Sequence, residues 1–91
     1  MKYTVEMFGL SPFTEENAVD LELNDGATLP DLFRALADKI SAFKGRVIEA
    51  GQDRLVENYG IYINGQFVSD YEGIRLRQTD RIVLILLAVG G

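Results

Sequence analysis

Cysteine and histidine are both absent from the 91-residue chain, and only two prolines occur in it. Without a thiol there is neither a disulfide framework nor a cysteine nucleophile. Without imidazole, the zinc-finger ligand sets and the commonest general base are excluded as well. Paired carboxylates remain as possible acid–base groups, but no spacing in the sequence points to such a pair. Long apolar runs are missing too, since none reaches the length that a membrane-crossing helix needs. The opening Met1-Lys2-Tyr3-Thr4-Val5-Glu6 is charged too early for a secretory signal. The expectation is a cytoplasmic protein with no membrane partner. Basic charge is also in short supply: 9 Lys and Arg stand against 14 Asp and Glu, a formal charge of −5. A phosphate backbone requires a net basic surface, so no nucleic-acid partner is expected. The acidic balance suits either simple solubility or a partner with a basic face.

An apolar fraction of 47% places the chain among ordered proteins. Its length predicts a single domain, residues 1–91, able to bury roughly 60–65% of its unfolded surface. Residues Lys2 to Phe8 alternate, with Tyr3, Val5 and Met7 on one side, as in a half-buried strand. Gly9 to Asn17 is turn-rich. Alternation returns at Val19, Leu21 and Leu23, which makes a hairpin that Asn24-Asp25-Gly26 closes. Thr28 has the character of a helix N-cap, with Pro30 in the first turn and Asp31 as a weaker capping-box partner than Glu or Gln. Leu29, Leu32, Phe33, Leu36, Ile40 and Phe43 then follow at helical spacing, predicting about four turns that end near Lys44-Gly45. This stripe reads as core. Residues 46–58 are irregular, with Val47, Ile48, Leu55 and Val56 making either a short helical turn or a tethered loop.

Asn64-Gly65 between Ile61-Tyr62-Ile63 and Gln66-Phe67-Val68 is a strong hairpin signal. A polar crossing segment, Ser69 to Thr79, is pinned by Ile74 and Leu76. The final stretch, Arg81 to about Ala88, is the most apolar run in the chain and reads as a buried strand, followed by a flexible tail at 88–91. The order β-β-α-β-β-β predicts an α+β fold, a mixed sheet of four to five strands with one main helix on one face. The last strand is expected beside the first, in the middle of the sheet. Ile82, Leu84 and Leu86 would then face the helix, and Val83, Ile85 and Leu87 would face away, joined by Tyr62. An uncovered apolar patch of that kind suits docking. The alternative is that residues 46–58 or a second copy cover it.

Several of these pieces together resemble the β-grasp, ubiquitin-like sulfur carriers of the MoaD/ThiS family. They are the strand ending Met7-Phe8-Gly9, the run Gly26-Ala27-Thr28-Leu29 into Leu32-Phe33-Arg34-Ala35-Leu36, and the Ile63-Asn64-Gly65 turn. Leu76, Asp80 before the last strand, and Gly90-Gly91 complete the set. The chain is most similar to the small subunit of molybdopterin synthase. It departs from the family pattern at Thr79-Asp80, where Gly-Asp is common, and at Leu87-Ala88-Val89, where proline often precedes the glycines. Its tail also lacks the arginines of the ubiquitin type.

The resemblance implies a carrier that is not itself an enzyme and binds no cofactor. An E1-like partner would use ATP to adenylate Gly91, and sulfur would then replace AMP to give a terminal thiocarboxylate. A molybdopterin-synthase large subunit or another acceptor would take the sulfur. Gly90 and Gly91 carry no side chain to block a narrow channel. Ala88 to Gly91 would reach at most about 13–14 Å, at about 3.3–3.6 Å per residue. Candidate docking residues are Tyr62, Val83, Ile85, Leu87 and Val89. A protein modifier conjugated through Gly91, or an interaction module whose terminus is never activated, remain the alternatives.

Overall fold

The computed structural model describes residues 1–87, so the expected tail at 88–91, with Val89, Gly90 and Gly91, lies outside the described residues. The elements are β1 (Lys2–Phe8), β2 (Ala18–Glu22), α1 (Leu29–Lys39), a 3-10 turn (Ser41–Phe43), β3 (Tyr59–Ile63), β4 (Gln66–Val68) and β5 (Ile82–Leu86). They form a mixed sheet in the order β2-β1-β5-β3-β4. β1 runs antiparallel to β2 but parallel to β5, and β5 is antiparallel to β3. The last strand is therefore central, as its continuous apolar run predicts. This is a β-grasp arrangement, with α1 covering one face.

The core lies between α1 and that face. Tyr3, Val5 and Met7 of β1, Val19 and Leu21 of β2, and Ile82 and Leu84 of β5 meet Leu29, Leu32, Phe33 and Leu36 of the helix. Leu86 was expected with them. Instead it is half-buried at the end of β5 and stays outside the buried cluster. It lies against Gly9, where an added Cβ would come within 2.9 Å of the Leu86 Cβ, and Gly9 itself adopts a φ of +77°. Both facts favour a residue without a side chain at that crossing.

The helix starts as its sequence indicates and stops early. Asp31 N–H donates to Thr28 Oγ1 at 3.2 Å, while Thr28 N–H donates to the Asp31 carboxylate at 3.1 Å. This reciprocal pair satisfies two backbone donors that a helix N-terminus leaves free. Arg34 adds a contact to Asp31 at 3.0 Å. The backbone bond from Thr28 above all, then the Thr28 hydroxyl and Arg34, holds the Asp31 carboxyl below its ordinary range. At the other end, Ile40 takes an extended conformation (φ −123°, ψ 90°) and Phe43 reaches the core from the 3-10 turn. The expected four turns are thus shortened: Ile40 and Phe43 continue the apolar spacing without continuing the helix.

Residues 46–58 form a tethered loop. Val47, Ile48 and Leu55 are buried in the same helix-side cluster, and isolated bridges join Lys44 to Ile48 and Ile48 to Leu55. The crossing segment is pinned by Leu76, whose N–H donates to Ala27 O at 2.8 Å and whose side chain is buried. The buried Tyr3 hydroxyl ties the same two regions, 3.2 Å from Asn24 O and 3.3 Å from Leu76 O. Ile74 is only half-buried against the core.

The β3–β4 turn places both Asn64 (φ 53°) and Gly65 (φ 83°) in the left-handed region, the geometry that Asn-Gly favours in a two-residue hairpin. The Asn64 side chain then fixes where β5 begins. Its amide donates to Asp80 Oδ1 at 2.9 Å, and its oxygen accepts from Arg81 N–H at 2.9 Å. Asp80 Oδ2 also accepts from Arg77 N–H at 2.8 Å, closing the turn ahead of the strand.

Neighbouring residues on β5 should respond differently to truncation. Leu84→Ala, at a fully buried position, should cost about 2–5 kcal/mol in urea unfolding. Ile85→Ala, on the opposite face, should cost well under half of that. For the cap, Asp31→Ala should cost about 1 kcal/mol at neutral pH. Because the folded state lowers the Asp31 pKa, that contribution is present above the unfolded carboxylate range and is lost as pH falls through the folded value. The stability gap between wild type and variant should therefore narrow on acidification.

Candidate docking face and tail exit

The sheet face turned away from α1 is assembled by register. Phe8 pairs with Ile85 across β1–β5, and Gly60 and Tyr62 pair with Ile85 and Val83 across β3–β5. Phe67 pairs with Tyr62 across the hairpin, and their rings meet edge to face at 5.5 Å. Alternation sends all of these side chains to one side of the sheet. The result is an apolar surface on which Phe8 is 49% exposed, Phe67 50% and Leu87 44%. Val83, Ile85 and Tyr62 are half-buried among them. Residues 46–58 do not cover it, since their buried side chains join the helix-side core.

Gly60 gives this surface its relief. A Cβ there would come within 2.8 Å of both Leu87 Cδ1 and Phe67 Cε1, so the bare backbone is the seat on which those two side chains rest. Leu87 is also held by its backbone: its N–H donates to Asn58 O at 2.8 Å, extending the β3–β5 ladder by one bond. The described chain thus ends at the margin of the apolar surface, beside the start of β3.

Charge frames one end of this surface. Arg81 forks onto Glu6 with contacts of 2.7 and 3.2 Å, so it is satisfied within the chain. That hydrogen bond, with the attraction of the guanidinium, holds the Glu6 carboxyl below its ordinary value and raises Arg81. Both groups meet solvent, where such pairs contribute little to stability. Arg75 and Arg77 lie on the crossing segment, where the Arg75 guanidinium reaches Gly26 O at 3.4 Å.

Of the sequence-predicted docking residues, Tyr62, Val83, Ile85 and Leu87 come together on this face, and Val89 lies outside the described residues. Sequence reasoning missed Phe8, Phe67 and Gly60. Phe8 is out of phase with the buried Tyr3, Val5 and Met7, which was a usable signal. Phe67 and Gly60 are recognisable only once the hairpin register is known. Among the described residues no group of His, Cys, Asp or Glu is arranged to hold a metal ion, and no helix is long and apolar enough to cross a membrane.

The backbone is similar to that of SAMP1, small archaeal modifier protein 1, from Haloferax volcanii. The TM-score is 0.81 at 21% identity, with 100% of both chains covered. Subunit 1 or 2 in a complex of the molybdopterin-converting factor from Helicobacter pylori matches at a TM-score of 0.62 and 23% identity, again with 100% of both chains covered. Urm1 from Sulfolobus solfataricus matches at a TM-score of 0.62 and 26% identity, covering 91% of this chain and 97% of that one. No curated protein matches the chain. The ThiS family matches residues 10–91, a span that takes in the central strand and both terminal glycines. The chain belongs to the ThiS family of ubiquitin-like carriers and modifiers.

Proposed function

We propose that this protein is a sulfur carrier whose Gly91 carboxylate is activated and converted to a thiocarboxylate, and that catalysis resides in its partners. The observation that carries the reading is the continuity between the exposed apolar face and Leu87, which stands four residues before Gly91. Leu87 belongs to that face through Gly60 and to the sheet through Asn58. A partner seated on Phe8, Ile85 and Phe67 therefore holds the root of the tail as well. An anchored root spends less freedom when the last residues enter a neighbouring active site.

The chemistry asks little of the carrier. A carboxylate oxygen attacks the α-phosphorus of ATP in an E1-like enzyme and displaces pyrophosphate. Hydrosulfide released by a sulfur donor then adds to the acyl carbon, AMP departs with that oxygen, and loss of the thioacid proton to solvent leaves C(=O)S⁻. Lack of cysteine means that no thiol of the carrier competes for the activated carbon. The family match extending to Gly91 supports this use of the glycines. The Helicobacter pylori complex of subunits 1 and 2 supports an acceptor of the molybdopterin-synthase large-subunit type.

Incubation with an E1-like enzyme, ATP and a sulfur donor should replace one terminal oxygen by sulfur, read by intact mass. Deleting Gly91 should abolish the product without changing stability. Ile85→Arg and Phe67→Arg should fold normally and lower activation by about tenfold or more at limiting enzyme, the scale of losing a central anchor. Failure of the wild-type chain to gain sulfur with any cellular E1-like enzyme would overturn the reading. Gly91 found instead in isopeptide linkage to lysines of other proteins would assign the chain to the modifiers.

A further inference from the structure

The turn between β3 and β4 sets the register of the sheet and is also a place where the chain can react with itself. Four asparagines occur in the sequence, and Asn64 alone is followed by glycine. A main-chain nitrogen can attack the side-chain amide of the asparagine before it, and glycine hinders that attack least, having no Cβ and the freest backbone. Asn64 and Gly65 are both exposed. The Gly65 N–H makes no hydrogen bond to another main-chain group among the described residues. Apart from its chain neighbours, no heavy atom lies within 4 Å of the place a Cβ would take there.

The reaction is restrained by the way β5 holds Asn64. Its main-chain N–H donates to Arg81 O at 2.9 Å, and its side-chain oxygen accepts from Arg81 N–H at 2.9 Å. Its amide nitrogen donates to Asp80 Oδ1 at 2.9 Å. Both ends of the carboxamide are thus engaged at the start of β5, and they must let go before the Asn64 Cγ can meet the Gly65 nitrogen. Asp80 is fixed in its turn, because Oδ2 accepts from Arg77 N–H at 2.8 Å. Breaking one neutral bond and one bond to a carboxylate slows such an opening by about tenfold or more.

We infer that Asn64 is a deamidation site guarded by Asp80, and that its conversion prevents the hairpin from docking again on β5. In the reaction the Gly65 nitrogen bonds to Asn64 Cγ and gives up its proton. The side-chain nitrogen leaves with that proton as ammonia, and a cyclic imide remains. Water then opens either carbonyl of the imide, giving aspartate or isoaspartate. Neither product rebuilds the network. An aspartate sets its carboxylate against that of Asp80, a like-charge contact where a donor stood. An isoaspartate lengthens the main chain of a two-residue turn and disturbs the register that Ile63 and Gln66 close. In both cases the start of β5 loses its tie to the hairpin, and the pairing of Tyr62 with Val83 on the outer face loosens with it. The other asparagines precede Ala18, Asp25 and Tyr59, whose side chains shield the attacking nitrogen, so the change concentrates at this turn.

The test ages the full chain at mildly alkaline pH, in native buffer and in denaturing urea, and follows the digested peptide that spans Asn64 by mass. That peptide should exchange amide for acid and separate into two products. Its rate should be about tenfold or more faster in urea. Asp80→Ala should speed the reaction in native buffer on the same scale. In the wild-type chain, the rate should rise through sub-denaturing urea in parallel with amide exchange at Arg81, a readout that needs no variant. Asn64→Asp should fold, lower the urea midpoint and shift the Tyr62 and Val83 resonances. Equal rates with and without urea, a folded Asp80→Ala chain that reacts no faster, or an Asn64→Asp chain with the wild-type midpoint would each overturn the inference. Deamidation spread evenly over the four asparagines would overturn it as well. None of these readouts involves activation of Gly91.

Discussion

The ladder that β5 makes with β1 on one side and β3 on the other is the constraint on which the remaining structure depends. A strand with hydrogen-bonded neighbours along both edges satisfies its backbone within the sheet, and β5 carries apolar side chains on both of its faces. Ile82 and Leu84 meet the helix-side core, whereas Val83 and Ile85 cannot. The outer apolar surface follows from the unbroken apolar run of β5, since β1 is flanked on both edges as well yet carries Lys2, Thr4 and Glu6 on that side. With Phe8 and Tyr62 as cross-strand neighbours and Leu87 seated over Gly60, that surface continues to Leu87, the last described residue.

Two polar devices hold the start of this strand in place. Asn64 is both the left-handed residue of the β3–β4 turn and the bridge to Asp80 and Arg81. Asp80, in turn, closes the preceding turn through Arg77 N–H. The hairpin register and the β5 register are thereby set by one side-chain network, and a slip by one residue would exchange the core and outer faces. Tyr3 serves the other end of the core, where its hydroxyl ties the Asn24 and Leu76 carbonyls to a buried ring.

Much of this was legible in the sequence where local chemistry and long-range packing agree. Alternation marked β1 and β2, Asn64-Gly65 marked the hairpin, and Thr28 with Asp31 marked the helix start. The helix end was misread because Ile40 and Phe43 keep helical spacing after the backbone has turned extended, and only tertiary contact distinguishes those cases. Leu86 keeps the inward phase of its strand but lies at the sheet's end beside Gly9. Phe67 and Gly60 owe their place on the outer face to cross-strand register, which no local pattern encodes.

The pairing of Val5 with Ile82 and of Phe8 with Ile85 joins the earliest segment of the chain to one of its latest. Contacts so distant along the backbone form slowly, because a large loop must close before they give anything in return. During synthesis the sheet lacks its middle until β5 has emerged from the ribosome. A chain without β5 would expose β1 and β3 as unmated edges and leave the outer apolar face unassembled. The topology thus ties the assembly of the whole outer face to the arrival of the last strand.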